Sequence, residues 1–487
     1  MTSTFPAGFL LGSATAAYQI EGAVAEGGRG ASIWDTFTRT PGTITGGDTG
    51  DVACDHYHRW ESDVEMMVEL GLEAYRFSIA WPRVQPAGTG AFNPEGIAFY
   101  RRLVERLVER GITPMVTLYH WDLPQALEDS GGWLSRDTID AFVVYATRMV
   151  EELGDLVTHW ATFNEPWVSS FVGYATGSHA PGRVDDEEGL TAAHHLLLSH
   201  ARAYRAIKET RPDLQVGIVN NSHTPRPWDP SNPADRAASA HIDALANGMF
   251  HQPFLDGTYP EVLRPNTAHL TDWSFVHDGD LEEMRGAVDW FGLNYYASHV
   301  VRHNPAKGAA TSDVATLADG HKAGSSSPWP GDEEIEFMRP PGELTAMGWN
   351  IDPGALTAQL LRLQREAGLP IYVTENGSAW DDQVDGDGDG RIRDRDRTRY
   401  LRAHLQAVLD AIDEGADVRG YMAWSLMDNF EWAQGYAKRF GIVHVDYDTQ
   451  VRTWKDTAYW YREAIRARGI VPLEAGEAAA ETPPRTF

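Results

Sequence analysis

Short apolar runs alternate with longer amphipathic stretches along this chain. The runs Gly12–Tyr18, Ala74–Ile79, Pro114–Tyr119, His159–Phe163, Gln215–Asn220, Trp290–Asn294, Ile371–Thr374 and Gly420–Trp424 read as strands. Between and after them, helical patterns cover Asp55–Leu70, Pro94–Arg110, Ser135–Leu153, Leu190–Thr210, Ala234–Met249, Pro353–Ala367, Arg395–Glu414 and Lys455–Arg468. In the first of these, Asp63, Val64, Met67, Val68 and Leu70 follow helical spacing. Gly71, Gly111, Gly368 and Gly415 stand where a helix ends in left-handed backbone before the next strand. Strand and helix in eightfold alternation predict an α/β fold, a (β/α)8 TIM barrel built as one domain over residues 1–472. The Gly/Ser/Pro-rich stretch Pro305–Pro341 lacks periodicity and follows the sixth strand, so it is expected to lie over the strand-C-terminal face. Residues 473–487, rich in Ala, Glu, Pro and Thr, are expected to be a disordered tail.

Composition narrows the partners. The chain has 487 residues and a net charge of −29, from 41 basic and 70 acidic side chains. Such a field repels nucleic acid and anionic membranes, and suits a neutral or cationic small molecule. Cys54 is the single cysteine, so no intrachain disulfide forms and nothing calls for an oxidising compartment. The first residues show no basic region followed by an apolar core, and no apolar run is long enough to span a membrane. A cytoplasmic protein is expected, with homo-oligomerisation left open. Tryptophan is abundant, at 17 residues. Most of these fill core, but an indole face also stacks on the C–H face of a sugar.

The chemistry centres on Thr158–Trp167. An apolar strand ends at Phe163, and polarity changes at once to Asn164, Glu165 and Pro166. Proline cannot continue a central strand and biases Glu165 toward extended backbone. A single Glu at a strand end is commonly just a polar loop residue. The design recurs, however, at Leu369–Gly377, where Glu375 closes another apolar strand before Asn376 and Gly377. In a barrel the ends of the fourth and seventh strands share one rim, where substrate sites lie. Two carboxylates facing across a pocket are the apparatus of glycoside hydrolysis, one attacking the anomeric carbon and the other protonating the leaving oxygen.

These segments belong to a longer set. Phe9–Gly22, Tyr75–Ile79, Leu118–Asp122, Thr162–Pro166, Asn294–Tyr296, Thr374–Gly377 and Trp424–Trp432 occur together in this order. From Phe5 to about Ile470 the chain resembles glycoside hydrolase family 1, the β-glucosidase/β-galactosidase family. One departure is Leu11, where that family usually has Trp; packing rather than chemistry is expected to change. The resemblance implies Glu375 as nucleophile and Glu165 as acid/base, a retaining mechanism with carboxyl groups about 5–5.5 Å apart, and no required cofactor. A nucleophile must stay charged, and Arg76 and Tyr295, at the ends of the second and sixth strands, are the expected neighbours of Glu375. The acid needs a raised pKa, which the field of ionised Glu375 is expected to supply until the sugar ester forms.

By the same resemblance, Gln19, His120, Asn164, Trp424, Glu431 and Trp432 hold the first sugar. Asn164 is expected on the 2-hydroxyl, and Glu431 on the 4- and 6-hydroxyls, where a carboxylate would repel a 6-phosphate. Trp121 is a supporting residue. On the leaving-group side Trp349 is the candidate platform, with Trp167 and Asn221 as further contacts or, equally, loop packing.

Two other features need weighing. His194 and His195 sit on an apolar helical pattern without carboxylates at ligand spacing, so core or surface histidines are expected rather than a metal site. Asp385, Asp387, Asp389, Gly390 and Asp396 follow the order of a calcium-binding EF-hand loop, with Asp in place of the usual final Glu. Calcium is the candidate ligand there, and a solvated acidic turn the alternative. The function expected is a retaining exo-β-glycosidase acting on terminal β-glucosyl residues, with β-galactosyl and β-fucosyl as further candidates. The alternative is a catalytically inert sugar-binding member of the fold, against which stands the presence of both carboxylates.

Overall fold

A computed structural model describes residues 4–307, 327–384 and 390–474. At its centre eight parallel strands close into a barrel: β1 Leu10–Ala14, β2 Ala74–Ser78, β3 Thr113–Tyr119, β4 His159–Asn164, β5 Gln215–Asn221, β6 Trp290–Asn294, β7 Ile371–Asn376 and β8 Val418–Trp424. Each strand pairs with its sequence neighbours, and β1 closes the ring by pairing with both β2 and β8. Eight helices surround it: α1 His56–Leu70, α2 Pro94–Glu109, α3 Arg136–Leu153, α4 Asp186–Thr210, α5 Pro233–Asp243, α6 Pro353–Ala367, α7 Arg395–Asp413 and α8 Asp456–Ala467. The expected (β/α)8 architecture is therefore the observed one. No helix among the described residues is long and apolar enough to cross a membrane.

Local chemistry explains the elements. In α2 the Asn93 side chain caps the start by accepting from the Glu95 N–H, and Pro94 occupies the first turn, where its missing N–H is not needed. The helix buries Ile97, Tyr100, Leu103, Val104 and Leu107, one face at helical spacing. Leu103→Ala would leave a cavity there and destabilise the protein by about 2–5 kcal/mol. Gly71, Gly111, Gly368 and Gly415 all take positive φ, as the helix-to-strand turns require.

Three expectations change. The first strand spans Leu10–Ala14 rather than Gly12–Tyr18, and Ala17–Ile20 forms a helical turn. Alanines 16 and 17 favour helix over strand, and the Ala17 N–H is taken by the Ser78 hydroxyl. The helix after β5 widens into a π turn at Ala244–Gly248 and continues through Met249–Leu255. There the Asn247 amide donates to the backbone carbonyl of His223. Of the long stretch after β6, residues 308–326 lie outside the described residues, but Ile335–Met338 pairs with His299–His303, which pairs in turn with Pro225–Pro227. The candidate calcium residues Asp385, Asp387 and Asp389, and residues 475–487 of the expected tail, also lie outside the described residues. Leu11 is fully buried in β1.

Candidate active site

Glu165 and Glu375 come together at the C-terminal rim of the barrel, both buried, in the wall of one pocket. The pocket holds about 780 Å³ of space between its atoms, open to solvent at its mouth. Asn294, the last residue of β6, stands between the two acids. Its Nδ2 donates to Glu165 Oε1 at 2.7 Å and to Asn164 Oδ1 at 3.0 Å, while its Oδ1 accepts from the Thr374 hydroxyl at 2.7 Å. Arg76 projects from the middle of β2, not its end. One guanidinium nitrogen donates to Glu375 Oε1 at 2.7 Å and the other to Asn164 Oδ1 at 2.6 Å.

The other oxygen of Glu375 accepts from the Tyr296 hydroxyl at 2.7 Å. This corrects the expectation for Tyr295, whose hydroxyl instead donates to the Asp352 carbonyl at the start of α6. Side chains alternate in extended backbone, so Asn294 and Tyr296 face inward and Tyr295 faces the helices. The motif Asn294-Tyr-Tyr296 held both tyrosines, and alternation from Asn294 would have picked the right one.

Glu165 also departs from expectation in its backbone. Its φ is +46°, left-handed rather than extended. Here tertiary hydrogen bonds override the bias of the following proline. The Glu165 N–H donates to Val219 O, and its carbonyl accepts from Val168 and Ser169, opening the π-helical turn Val168–Ala175. Trp121 and Trp432 share this left-handed conformation, at +75° and +45°. Non-glycine residues held in this region cost on the order of 1–3 kcal/mol each, and they gather where function fixes their geometry. Gly377 answers a different demand, since a Cβ there would collide with the carbonyl oxygen of Trp424.

Burial pushes the Glu165 carboxyl well above its ordinary range, and the charge of Glu375 adds to this. The expected cause, the neighbouring carboxylate, is thus the second one. Burial lifts Glu375 too, but Arg76, Tyr296 and Asn294 oppose it, so Glu375 is the more acidic of the pair.

Around the acids, His120, Trp121, Trp349, Trp424, Glu431 and Trp432 all face the pocket. Trp121 packs on Trp432 with ring centres 4.4 Å apart and donates to the Asn164 carbonyl at 3.0 Å. His120 is nearly parallel to both Trp424 and Trp432, with ring centres 5.9 and 6.0 Å away. Its Nε2 meets the Asn164 amide at 3.0 Å, leaving Nδ1 without a protein partner. Glu431 Oε2 and Gln19 Oε1 are likewise buried and unpartnered. The Glu431 carboxyl is pushed up to about 8 by burial and then by Glu375. Gln19 and Asn164 sit behind the wall rather than in it: Gln19 Nε2 is tied to Asn429 Oδ1 and Phe430 O, and Asn164 has one amide hydrogen beyond the bond to His120. On the outer side Asn221 and Trp349 line the pocket, with His179 and His223, which sequence reasoning missed. Trp167 does not; it packs against Trp329, ring centres 4.7 Å apart.

The model of glycosyl hydrolase family 1 matches residues 1–470. The chain belongs to glycosyl hydrolase family 1. It is an enzyme of that glycoside-hydrolysing family, and its relatives are close in extent as well as sequence. It is 47% identical to a bifunctional beta-D-glucosidase/beta-D-fucosidase of Bifidobacterium breve, covering 96% of this chain and 99% of that one. It is 43% identical to beta-glucosidase A of Thermotoga maritima, over 96% of this chain and 98% of the other. A solved family 1 b-glucosidase from Thermotoga maritima superposes with a TM-score of 0.88 at 42% identity, covering 96% and 99% of the two chains. The same organism's beta-glucosidase in complex with castanospermine also gives 0.88, with 97% and 100% covered.

Two histidine and acid groups of this family 1 chain lie away from the pocket. His194 and His195 are buried in α4, as expected for core residues; His194 bridges the Tyr259 hydroxyl and Asp280. Asp382, Asp428 and His444 bring ligand atoms within 4.8 Å of one another. The Lys455 ammonium already occupies that place, 2.5 Å from Asp382 and 2.7 Å from Asp428. Arg397 and Arg439 complete a buried ion network with Asp382, Asp394 and Asp428. Asp428 lies within the Trp424–Trp432 motif, but its partners come from separate segments of the chain, so no pattern along the sequence pointed to the network.

Proposed function

We propose that this family 1 enzyme removes terminal non-reducing β-D-glucosyl residues, and β-fucosyl or β-galactosyl residues as well, from small glycosides and cello-oligosaccharides, with retention of configuration. The observation that carries this is the unequal treatment of two buried acids joined through Asn294. Among the described residues Glu375 has a guanidinium and a phenol on its oxygens, whereas Glu165 has an amide.

In the first step a Glu375 oxygen attacks the anomeric carbon. The bond from that carbon to the aglycone oxygen breaks, and the Glu165 proton moves to this oxygen. Esterification removes the Glu375 charge, so the pKa of Glu165 falls and it becomes a base. In the second step Glu165 takes a proton from water, the water oxygen bonds to the anomeric carbon, and the ester bond to Glu375 breaks. Two carboxylates and water balance both steps. The unpartnered oxygen of Glu431, with Gln19 and His120, supports recognition of unphosphorylated hydroxyls. The named relatives act on β-glucosides and, in one case, β-fucosides.

An activated 2-fluoro-β-glucoside tests the reading, because its ester hydrolyses slowly enough for mass spectrometry of the digested protein. Label on the peptide bearing Glu375, and a β-anomer as first product by NMR, are the expected results. Label on another residue would reject the assignment, and an α-anomer would reject retention. The rate should rise and fall with pH, the acid limb set by Glu375 and the alkaline limb by Glu165.

A further inference from the structure

From the outer wall of the pocket a chain of hydrogen bonds runs inward that the chemistry above does not use. Asn221 ends β5 and faces the pocket; its Nδ2 lies 2.8 Å from His223 Nε2. His223 Nδ1 lies 2.8 Å from Nε2 of His299, the first residue of the strand His299–His303. All three side chains are buried. The imidazoles are boxed in by aromatic rings: Trp167 and Trp329 against His223, Phe337 and Trp329 against His299. Backbones are fixed as well, His223 by hydrogen bonds in both directions with the Asn247 amide and His299 by its N–H on Thr224 O.

Donor and acceptor identities follow along the chain. An amide nitrogen only donates, so His223 Nε2 accepts, and the neutral ring carries its proton on Nδ1. That N–H donates to His299 Nε2, which must therefore be the unprotonated nitrogen of its ring. Reversing the last tautomer would reverse every bond and turn the Asn221 amide over. With the amide nitrogen on His223, Asn221 Oδ1 is the remaining polar atom, buried and without a protein partner. Such an acceptor is left unsatisfied unless a ligand donates to it.

We propose that His299 is a positioning residue: through His223 it holds the Asn221 amide with its oxygen toward the leaving-group side, which sets that side to take a hydroxyl-bearing, sugar-like aglycone. The inference rests on the glycosidase reading above and deepens it by naming an aglycone class. A glucose leaving group has hydroxyl donors for Asn221 Oδ1, whereas p-nitrophenol offers none once bonded to the glucosyl oxygen.

Steady-state kinetics on cellobiose and on p-nitrophenyl β-glucoside, for the wild type, His299→Leu and His299→Gln, test it. His299→Leu removes the acceptor for His223 and is expected to raise KM for cellobiose about fivefold. KM for the aryl glucoside should move far less, which also shows that the variant is folded. His299→Gln keeps an acceptor at this place and should restore most of the cellobiose affinity. Equal losses on both substrates, no loss on cellobiose, or a Gln variant as impaired as the Leu variant would overturn the proposal. A wild type inactive on both substrates would instead reject the glycosidase reading itself, and the inference with it.

Discussion

Two buried clusters of acids in this molecule are answered in opposite ways. At the rim, Glu165, Glu375 and Glu431 share one paired cation, Arg76, among the described residues. Beside the last strand, Asp382, Asp394 and Asp428 meet Arg397, Arg439 and Lys455. Burial raises the cost of charge in both places. In the ion network, Lys455, His444 and Arg439 hold Asp428 far below the usual carboxylate range, although burial still lifts Asp394. At the rim the deficit stays open, and Glu165 and Glu431 are held high. A cluster that balances itself serves as structure, while on the proposed function one left short of partners is completed by sugar hydroxyls and moves a proton.

The strongest break of this contrast is removal of one acid from the rim. Glu375→Gln is expected to lower kcat on p-nitrophenyl β-glucoside about 10⁴-fold or more. Its melting temperature should change little, because losing a carboxylate that burial lifts offsets the loss of the Arg76 ion pair. A large fall in melting temperature would mean that the rim acids are structural after all. Lys455→Met should do the reverse. It takes the fully buried cation shared by Asp382 and Asp428, so urea unfolding should show a loss of about 3–5 kcal/mol, with KM of the folded fraction unchanged.

A finer division is drawn by the two adjacent tyrosines. Tyr296→Phe removes a hydrogen bond to a carboxylate and should lower kcat about tenfold or more. The bond holds the Glu375 pKa down, so its loss should also move the acid limb of the rate profile to higher pH. Tyr295→Phe should leave both kcat and the profile in place.

The smallest effect is a matter of sign. Glu431 is lifted to about 8, above its unfolded value, so it binds more protons folded than unfolded between the two. Stability is therefore lost as pH rises through that window. Glu431→Gln should raise the melting temperature by about 1–3 °C at pH 8, with the gain shrinking toward pH 5. Asp428 has the opposite sign: its contribution is full above the ordinary Asp range and is lost as pH falls below it. A thermal-shift series across pH separates the two.

The same contrast governs what could be read along the chain. Strands were legible as short continuous apolar runs and helices by a 3.6-residue rhythm, and Glu165 and Glu375 because a carboxylate at a strand end breaks such a run. Asn164, His120 and Glu431 were reached through motifs. Tyr296 was not, because choosing between two neighbouring tyrosines depends on which face of β6 each takes. The backbone of Glu165 was not either, since a bond to Val219 on the next strand decides it. The ion network was invisible because its members run from residue 382 to residue 455 and meet only after folding.

Closure of the ring places a constraint on when this protein can first work. Gln19 near one end of the chain is held by Asn429 and Phe430 near the other, across separations of 410 and 411 residues. Glu431 and Trp432 follow directly. On a ribosome adding 5–20 residues per second, that last wall follows Gln19 by roughly 20–80 s. Until then Glu165 has been made, but the pocket lacks the side that Glu431 and Trp432 supply. Activity thus arrives late and all at once, and a chain cut short before β8 has no partial version of it to offer.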